Sequence, residues 1–352
     1  MQQKQKWVTL SVGLIYFIAA MWIMIYASMH RVVRIEDVAQ EQRSSGTVEE
    51  NKESDKGSWK TIEFIENMAL ENDIIIPLDQ EIKAENVIIE NHYMDKELWI
   101  GIEGIEKKYF ADRTLEGNTT IVQNAYYGKQ KGTVWLKFEL DGVYECQSIL
   151  EDNHLYIELV KPKEIYDTVI VIDPWYSEEM SKRKSGMTEQ EITLDIAERV
   201  EEKMASMDTV KVYFTRVDEE MPTLEQRQQI ITEAGADFYI GIELKTSEDT
   251  SVYGVETIYN GTYFIPYFGN VELADSLEKN VTLQVSGRAN GLTQAGEEDI
   301  IVQKARIPAV ILKAGYLSNE KEAALLNTEE YRDRIAEGIV MTVQEACEMR
   351  AE

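Results

Sequence analysis

The chain contains few of the residues that build disulfide frameworks and zinc sites. Two cysteines and three histidines occur among its 352 residues. Cys146 and Cys347 stand about 200 residues apart, in what we predict to be different domains, which argues against a disulfide framework. Neither cysteine has a neighbouring cysteine or histidine, so the ligand spacing of a zinc finger is excluded as well.

Basic residues are also scarce. The chain has 36 Lys and Arg against 64 Asp and Glu, which gives a net charge of −28. Residues 1–34 contain four basic and no acidic residues, so the remaining residues carry a charge of −32. Such a surface repels nucleic acid, anionic lipid and anionic wall polymers. We therefore predict no nucleic-acid partner and interpret the charge as a solvated acidic surface.

A long uncharged run lies near the N-terminus. Trp7–Met29 would span about 34 Å as a helix, enough to cross a bilayer, and Trp22 and Tyr26 are suited to the membrane interface. The alternative is a cleaved signal peptide, but the run is long for one and no small-x-small site follows it. We predict that residues 1–34 are an uncleaved transmembrane anchor. Two basic residues flank the run on each side, so charge leaves its orientation open.

The next two segments differ sharply in composition. Residues 35–60 are polar and rich in Ser and Glu, which predicts a flexible linker. Residues 61–165 contain short apolar runs with period-two alternation, and Asp141–Gly142 is a hairpin signal. This pattern predicts a β-rich, sandwich-like domain. Four of its aromatic residues are candidates for a glycan-binding face or, alternatively, for core and cross-strand packing. They are Tyr109, Phe110, Tyr126 and Tyr127.

Strands and helices alternate through residues 166–352. The buried strand Val169–Asp173 precedes an amphipathic helical pattern, and similar pairs follow. Repeated β–α units predict an α/β fold with a mostly parallel sheet and helices on both faces. Functional residues of such sheets lie at the carboxyl ends of the strands, which here carry Asp173, Glu243 and Lys313.

Five motifs occur in order in this part of the chain. The first three are "VIVIDP", "TEQEITLDIA" and "VYFTRVDEEMPTLEQR", and the last two are "AGADFYIGIE" and "ARIPAVILKAGYLSN". Their order and spacing resemble the zinc-dependent N-acetylmuramoyl-L-alanine amidases of bacterial cell-wall turnover. The resemblance runs from about Asp167 to Cys347 and implies the amidase fold.

The resemblance also implies a chemistry. In the family, two histidines and a glutamate bind zinc, and a further glutamate acts as general base and acid in amide hydrolysis. By position, the zinc ligands correspond to Tyr176, Glu189 and Glu243, and the catalytic glutamate corresponds to Lys313. Only Glu189 keeps the residue type of the family.

This departure can be checked against the whole chain. The three histidines all precede the α/β domain, at His30, His92 and His154. Two carboxylates alone bind hard cations weakly and hold zinc poorly. We therefore predict that the family's zinc is lost, that no cofactor replaces it, and that no catalytic residue is intact. We expect the ammonium of Lys313 to pair with Glu189 and Glu243 in a filled former site.

Two aromatic residues follow the first strand where the family has glycine and histidine. Trp175 and Tyr176 are expected to plug the groove or, alternatively, to stack on a sugar or peptide. Four residues are candidates for lining that groove. They are Asp173, Trp175, Arg216 and Arg288.

Together these features predict a single-pass membrane protein with the bulk of the chain outside the cytoplasm. Its inactive amidase-like domain would bind peptidoglycan or a cell-wall protein partner, or regulate wall hydrolysis. One alternative is an active amidase that cleaves the muramoyl-L-alanine bond with a non-standard site. Another is a purely structural component of the cell envelope, because a fold does not by itself specify a function.

Overall fold

The α/β region and the region before it form separate sheets. A computed structural model of the chain describes residues 35–38, 59–67, 73–177, 186–217 and 221–351. Its strands form two sheets in the β-rich region and one in the α/β region. The predicted membrane span Trp7–Met29 lies outside the described residues. Within the described ranges, none of the helices is both long enough and apolar enough to cross a membrane.

The β-rich region contains eleven described strands. They are β1 (Ile35–Val38), β2 (Lys60–Thr61), β3 (Glu63–Glu66), β4 (Ile74–Pro77), β5 (Val87–His92), β6 (Glu97–Ile102), β7 (Thr114–Gly117), β8 (Val122–Gln130), β9 (Thr133–Leu140), β10 (Glu145–Glu151) and β11 (His154–Val160). Short 3-10 helices cover Ala84–Asn86 and Lys107–Phe110. One sheet has the order β1-β5-β6-β9-β8-β2, and the other has the order β10-β11-β4-β7-β3.

Alternating side chains pack the two sheets face to face. Leu136 and Phe138 of β9 share one apolar core with Ile74 of β4 and Ile157 of β11, and all four are fully buried. The residues between them on β9 point to the opposite face and are half-buried. A strand that is apolar on one face packs in this way because successive side chains point to opposite sides. The predicted β-rich region is thus a sandwich.

The four aromatic candidates of this region mostly serve the core. Phe110 is fully buried, Tyr127 is 5% exposed, and Tyr109 packs against the same cluster. Tyr126 is half-buried on the outer face of the six-stranded sheet. Core packing therefore accounts for three of the four.

The first strand lies inside the segment predicted as a linker. Ile35–Val38 pairs in parallel with β5, from Ile35 opposite Ile89 to Val38 opposite His92. The linker prediction therefore does not hold for these four residues, nor for Lys60, which begins β2 and pairs with Tyr127. A four-residue strand is too short to show a periodic pattern, and its partner lies more than fifty residues later in the chain. Residues 39–58 of the predicted linker lie outside the described part of the chain.

The α/β region contains a six-stranded sheet and seven helices within the described residues. Its strands are β12 (Thr168–Pro174), β13 (Val210–Phe214), β14 (Phe238–Lys245), β15 (Val255–Tyr259), β16 (Ala289–Gln294) and β17 (Ala309–Tyr316). Its helices are α1 (Pro162–Ile165), α2 (Glu189–Met204), α3 (Leu224–Glu233), α4 (Asn270–Val285), α5 (Ile300–Lys304), α6 (Glu320–Leu326) and α7 (Glu329–Ala351).

The sheet is mostly parallel, as predicted. Its strand order is β13-β12-β14-β17-β15-β16, and the pairing of β15 with β17 is antiparallel while the others are parallel. Helices α2, α4 and α7 cover one face, where Ile170 and Ile172 of β12 join their apolar cluster. Helices α3 and α5 cover part of the other face, which receives Val169 and Val171. Helices on both faces are thus confirmed.

The sandwich completes the cover of the second face. Tyr93, Met94 and Val143 of the β-rich region are buried in the same cluster as helices α3 and α5. The Tyr93 hydroxyl donates to the Phe214 carbonyl oxygen at 2.9 Å, and it accepts from the Phe214 N–H at 3.2 Å. The α/β sheet therefore uses the sandwich as part of its own core.

Candidate functional site

Strand register brings the candidate residues together at one edge of the α/β sheet. In β12 and β14, Asp173 lies opposite Gly241, and in β14 and β17, Glu243 lies opposite Lys313. These positions are at the carboxyl ends of three adjacent parallel strands. The residues predicted from the ends of separate strands therefore share one edge, where α/β folds place their ligand sites.

Lys313 and Glu243 form an ion pair across this edge. The Lys313 ammonium contacts the Glu243 carboxylate, and the two side chains are 13% and 11% exposed. Burial raises the pKa of Glu243 above its ordinary value, although the adjacent Lys313 acts in the opposite direction. The carboxylate depends on the lysine, since an unpaired charge at this depth would be costly.

A second ion pair adjoins the first. In β15 and β17, Glu256 lies opposite Lys313, on the side away from Glu243. The Lys245 ammonium and the Thr293 hydroxyl both contact the Glu256 carboxylate. The sum of these interactions holds the pKa of Glu256 below its ordinary value despite the opposing effect of burial. The edge therefore carries alternating acids and bases that bond one another.

Glu189 occupies a different position from the one expected. It is the first residue of α2, which begins at a capping box formed by Thr188 and Glu191. Its carboxylate is fully buried and accepts the N–H groups of Ser177 and Leu244, both at 2.8 Å. Burial raises the pKa of Glu189 to about 7, although these two hydrogen bonds lower it. Glu189 thus ties the segment after β12 to the end of β14 through backbone groups rather than through a direct bond to Lys313.

Trp175 and Tyr176 lie in that tied segment. The Trp175 N–H donates to the carbonyl oxygens of Asp173 at 2.9 Å and of Ile242 at 3.1 Å. The Tyr176 ring is half-buried and lies 5.0 Å from the guanidinium carbon of Arg216. Tyr176 therefore packs over a buried cation at the position where the family resemblance places a zinc ligand.

Two of the proposed groove residues are structural instead. Asp173 is fully buried, and its carboxylate accepts from Arg227 Nε at 2.7 Å and from the hydroxyls of Tyr239 and Thr215. Burial and the nearby Asp173 raise the pKa of Tyr239 well above its ordinary value. Asp173 thus faces the interior of the domain and does not line a groove, because three neighbouring donors satisfy its charge there.

Arg216 is likewise enclosed. It is fully buried and donates to the carbonyl oxygens of Pro174 at 2.8 Å and Gln190 at 3.0 Å, and to the Thr193 hydroxyl at 3.0 Å. These bonds fasten the end of β12 to the first turn of α2. The prediction that Arg216 lines a groove therefore does not hold, since its donors are directed at backbone and helix groups.

Arg288 lies on the surface near the same edge. Its side chain is exposed, with the guanidinium carbon 5.7 Å from the Tyr253 ring. Its carbonyl oxygen accepts the Val255 N–H at 2.8 Å, which places it at the start of β15. The start of β15 adjoins the carboxyl end of β17 because those two strands are antiparallel. Arg288 and Trp175, which is half-buried, are the groove candidates that keep exposed surface.

The donor set of this edge does not fit zinc. Among the described residues, no group of three or more His, Cys, Asp and Glu side chains is arranged to hold a metal ion. Glu189 already accepts two N–H groups, and Glu243 is paired with an ammonium. The described histidines, His92 and His154, belong to the sandwich strands β5 and β11. A cation beside two engaged carboxylates opposes the binding of a second cation.

Sequence reasoning overlooked four residues of this edge. They are Arg227, Tyr239, Lys245 and Glu256. Arg227 lies within the quoted "TLEQR" motif, and Lys245 follows Glu243 at the spacing that keeps both on one face of a strand, so both carried a usable signal. No local sequence pattern indicated Glu256, because its position depends on the antiparallel pairing of β15 with β17.

Comparison with known proteins agrees with this fold. Residues 170–345, half of the chain, match a family model described as N-acetylmuramoyl-L-alanine amidase. The N-acetylmuramoyl-L-alanine amidase LytC of Bacillus subtilis is 26% identical over 171 residues, which are 48% of this chain and 34% of LytC. The germination-specific N-acetylmuramoyl-L-alanine amidase of the same organism is 24% identical over 187 residues, covering 49% of this chain and 76% of that protein.

A solved structure is similar to about half of the chain. It is the catalytic domain of CwlV, an N-acetylmuramoyl-L-alanine amidase from Bacillus (Paenibacillus) polymyxa var. colistinus. The TM-score is 0.45 at 24% identity, and the match covers 52% of this chain and 99% of that domain. The chain therefore spans about a third of LytC but nearly all of this catalytic domain.

Proposed function

Because the chain belongs to the N-acetylmuramoyl-L-alanine amidase family, we propose that it uses a catalytically inactive amidase-like domain to bind peptidoglycan or to regulate its hydrolysis. The observation that carries this proposal is the buried Lys313–Glu243 ion pair. The resemblance places a catalytic glutamate at one of these positions and a zinc ligand at the other. Their charges neutralise each other instead, so the pair supplies neither a metal site nor a free general base.

The remaining residues of the edge support the same conclusion. Tyr176 covers Arg216, and Glu189 accepts two backbone N–H groups. A zinc amidase needs an open coordination position for water, with a base near it. Here the side chains of Tyr176 and Glu189 already contact other protein groups, which suits a scaffold that binds or regulates.

Anchoring in the membrane is part of the proposal. Trp7–Met29 is uncharged and long enough to span a bilayer as a helix. We propose that it holds the rest of the chain on the outer side of the membrane, where peptidoglycan or a cell-wall protein partner is accessible. A fusion reporter placed after Ala351 would test this orientation.

A second function is favoured by one observation. Burial raises the pKa of Glu189 to about 7, a value suited to a general base at neutral pH. An amidase with a non-standard site would use this residue. Its two carboxylate oxygens both accept N–H groups, which leaves this alternative in second place.

The decisive experiment measures metal content and amide cleavage together. Full-length protein purified in detergent micelles is analysed for zinc and incubated with isolated sacculi. We expect sacculus binding without zinc and without release of muramoyl-L-alanine cleavage products. Stoichiometric zinc with amide cleavage would show that the domain is an active amidase.

A variant that restores the family's residue types provides the matched control. It combines Tyr176→His, Glu243→His and Lys313→Glu, and it keeps Glu189. We expect this variant to gain zinc binding, because it supplies two imidazoles and a carboxylate. Failure to gain zinc in a folded variant would mean that the loss of the site extends beyond these three side chains.

A further inference from the structure

The outer face of the six-stranded sandwich sheet carries a cluster of aromatic side chains. The chain has six tryptophans, and Trp59, Trp99 and Trp135 belong to this face. The ring centroids are 5.3 Å apart for Trp59 and Trp99 and 6.0 Å apart for Trp99 and Trp135. These residues lie on the side of the sheet away from the sandwich core, where Trp99 is 8% exposed and Trp59 and Trp135 are half-buried.

Glycines allow two of the rings to lie against the sheet. In the strand register, Trp135 of β9 stands between Gly101 of β6 and Gly128 of β8. A Cβ atom on Gly101 would come within 2.9 Å of the benzo ring of Trp135, and one on Gly128 would come within 2.9 Å of the Trp59 ring. Each indole therefore covers a glycine, and both tryptophans remain half-buried rather than enclosed.

The next row across the sheet places a cation among the rings. Trp99 and Tyr126 lie on either side of Lys137 in the register. The Lys137 ammonium is 5.4 Å from the centroid of the Tyr126 ring, 5.8 Å from that of Trp59 and 5.9 Å from that of Trp99. It also donates to Glu97 at 2.9 Å, so its position over the rings is held from both sides.

A third row supplies hydrogen-bonding groups. Glu97, Glu139 and Asn124 lie side by side on β6, β9 and β8. Trp99 Nε1 donates to Glu97 at 2.7 Å, and the Asn124 amide donates to Glu139 at 2.7 Å. A carboxylate offers about four acceptor positions and an amide offers two donors and an acceptor, so these groups keep capacity for a ligand.

We propose that this aromatic face binds an uncharged glycan strand of N-acetylated amino sugars. The half-buried indoles of Trp59 and Trp135 provide amphipathic surface for the apolar faces of sugar rings, and the adjacent polar row provides partners for hydroxyl and amide groups. The face bears both signs of charge, and the chain as a whole carries −28, which disfavours a polyanionic ligand. The inference rests on the proposed function and adds to it a site outside the amidase-like domain.

The test uses the full-length protein in detergent micelles and a tetramer of N-acetylglucosamine as the probe. Isothermal titration calorimetry compares wild type with Trp135→Ala, Trp135→Phe and Phe264→Ala, and thermal melting confirms that each variant is folded. We expect Trp135→Ala to weaken binding by about tenfold and Trp135→Phe to weaken it less, because the phenyl ring keeps part of the stacking surface. We expect Phe264→Ala, which removes an aromatic ring that is 83% exposed in the α/β region, to bind as wild type does.

Several outcomes would overturn the inference. These are no heat of binding with wild type, equal binding by Trp135→Ala, or a loss of binding in Phe264→Ala. A change in sedimentation velocity in Trp135→Ala would overturn it by assigning the face to self-association. If wild type binds sacculi but not the tetramer, this inference fails and the proposed function stands. If wild type binds the tetramer but not sacculi, the proposed function fails and the glycan site on the sandwich stands.

Discussion

The ion pairs at the carboxyl edge of the α/β sheet and on the outer face of the sandwich differ in how far they are exposed to solvent. At the edge, Lys313 and Glu243 form an ion pair whose side chains are 13% and 11% exposed. On the sandwich face, Lys137 and Glu97 pair with each other, their side chains are 20% and 19% exposed, and the half-buried indole of Trp59 lies beside them. In the first region the pairing stabilises the fold. In the second it leaves surface that can meet a ligand.

This difference has a physical origin in desolvation. A buried ion pair is costly to break because the remaining partner keeps a charge that water cannot reach. A partly exposed pair contributes little because water and salt screen it. Matched substitutions should therefore lower the free energy of unfolding more at the edge of the α/β sheet than on the sandwich face.

The largest loss is expected where a fully buried carboxylate loses its cation. Arg227→Met removes the guanidinium that donates to Asp173, whose side chain is fully buried. We expect the free energy of unfolding to fall by about 4 kcal/mol in urea titrations. Lys108→Met, which breaks an ion pair with Glu106 on the sandwich surface, is the control and should leave the unfolding midpoint unchanged.

Lys313→Met should have the next largest effect. It leaves Glu243 unpaired beneath the edge, and we expect a loss of about 3 kcal/mol, measured by chemical denaturation. The double variant Lys313→Met with Glu243→Gln should recover most of that loss, because Glu243 then leaves no unpaired buried charge. An unchanged melting temperature in Lys313→Met would contradict the view that the pair stabilises this edge of the sheet.

Glu189 should give the edge a characteristic pH dependence. Its pKa is raised to about 7 in the folded protein from an ordinary value of 4.5, so the folded state holds a proton that the unfolded state has lost. Its contribution to stability is therefore full below pH 4.5 and declines as the pH rises towards 7, by about 3 kcal/mol in total. Denaturation of wild type and Glu189→Gln across this range measures the difference. A constant difference between the two proteins would show that Glu189 does not titrate there.

The smallest effect is expected on the sandwich face. Lys137→Met breaks its pair with Glu97, and we expect a loss of no more than about 1 kcal/mol because both side chains are partly exposed. The comparison with Lys313→Met uses the same substitution in both regions. Equal losses in thermal or chemical unfolding would mean that the two regions do not differ in the way proposed here.

Several features of the fold could be predicted because their signals are local. Alternating apolar residues in β9 predicted a strand with one buried face, and the run Val169–Ile172 predicted a strand buried on both faces. The strand β1 could not be predicted, since four residues show no period and the pairing partner is distant. The packing of Tyr93 in the α/β core could not be predicted either, because it depends on how the sandwich packs against the α/β region.

The candidate site divides in the same way. Position along the motifs identified Glu189, Glu243 and Lys313, and strand register brings the last two into contact. The burial of Asp173 and Arg216 was not predictable. The local sequence around a charged residue at a strand end does not show whether its partners are protein groups or a ligand. Their partners lie on other strands and helices, at sequence separations of 23 to 66 residues.

The sequence by itself determined which side chains the α/β region can offer to a metal. Without a histidine after His154, no arrangement of the α/β region can supply two imidazole ligands, because folding cannot create a donor that is not encoded. Tertiary structure alone decided which groups the charged and aromatic side chains contact. It paired Lys313 with Glu243, buried Asp173 under Arg227, and laid Trp135 over Gly101, since each of these contacts joins strands or helices that are distant in the chain.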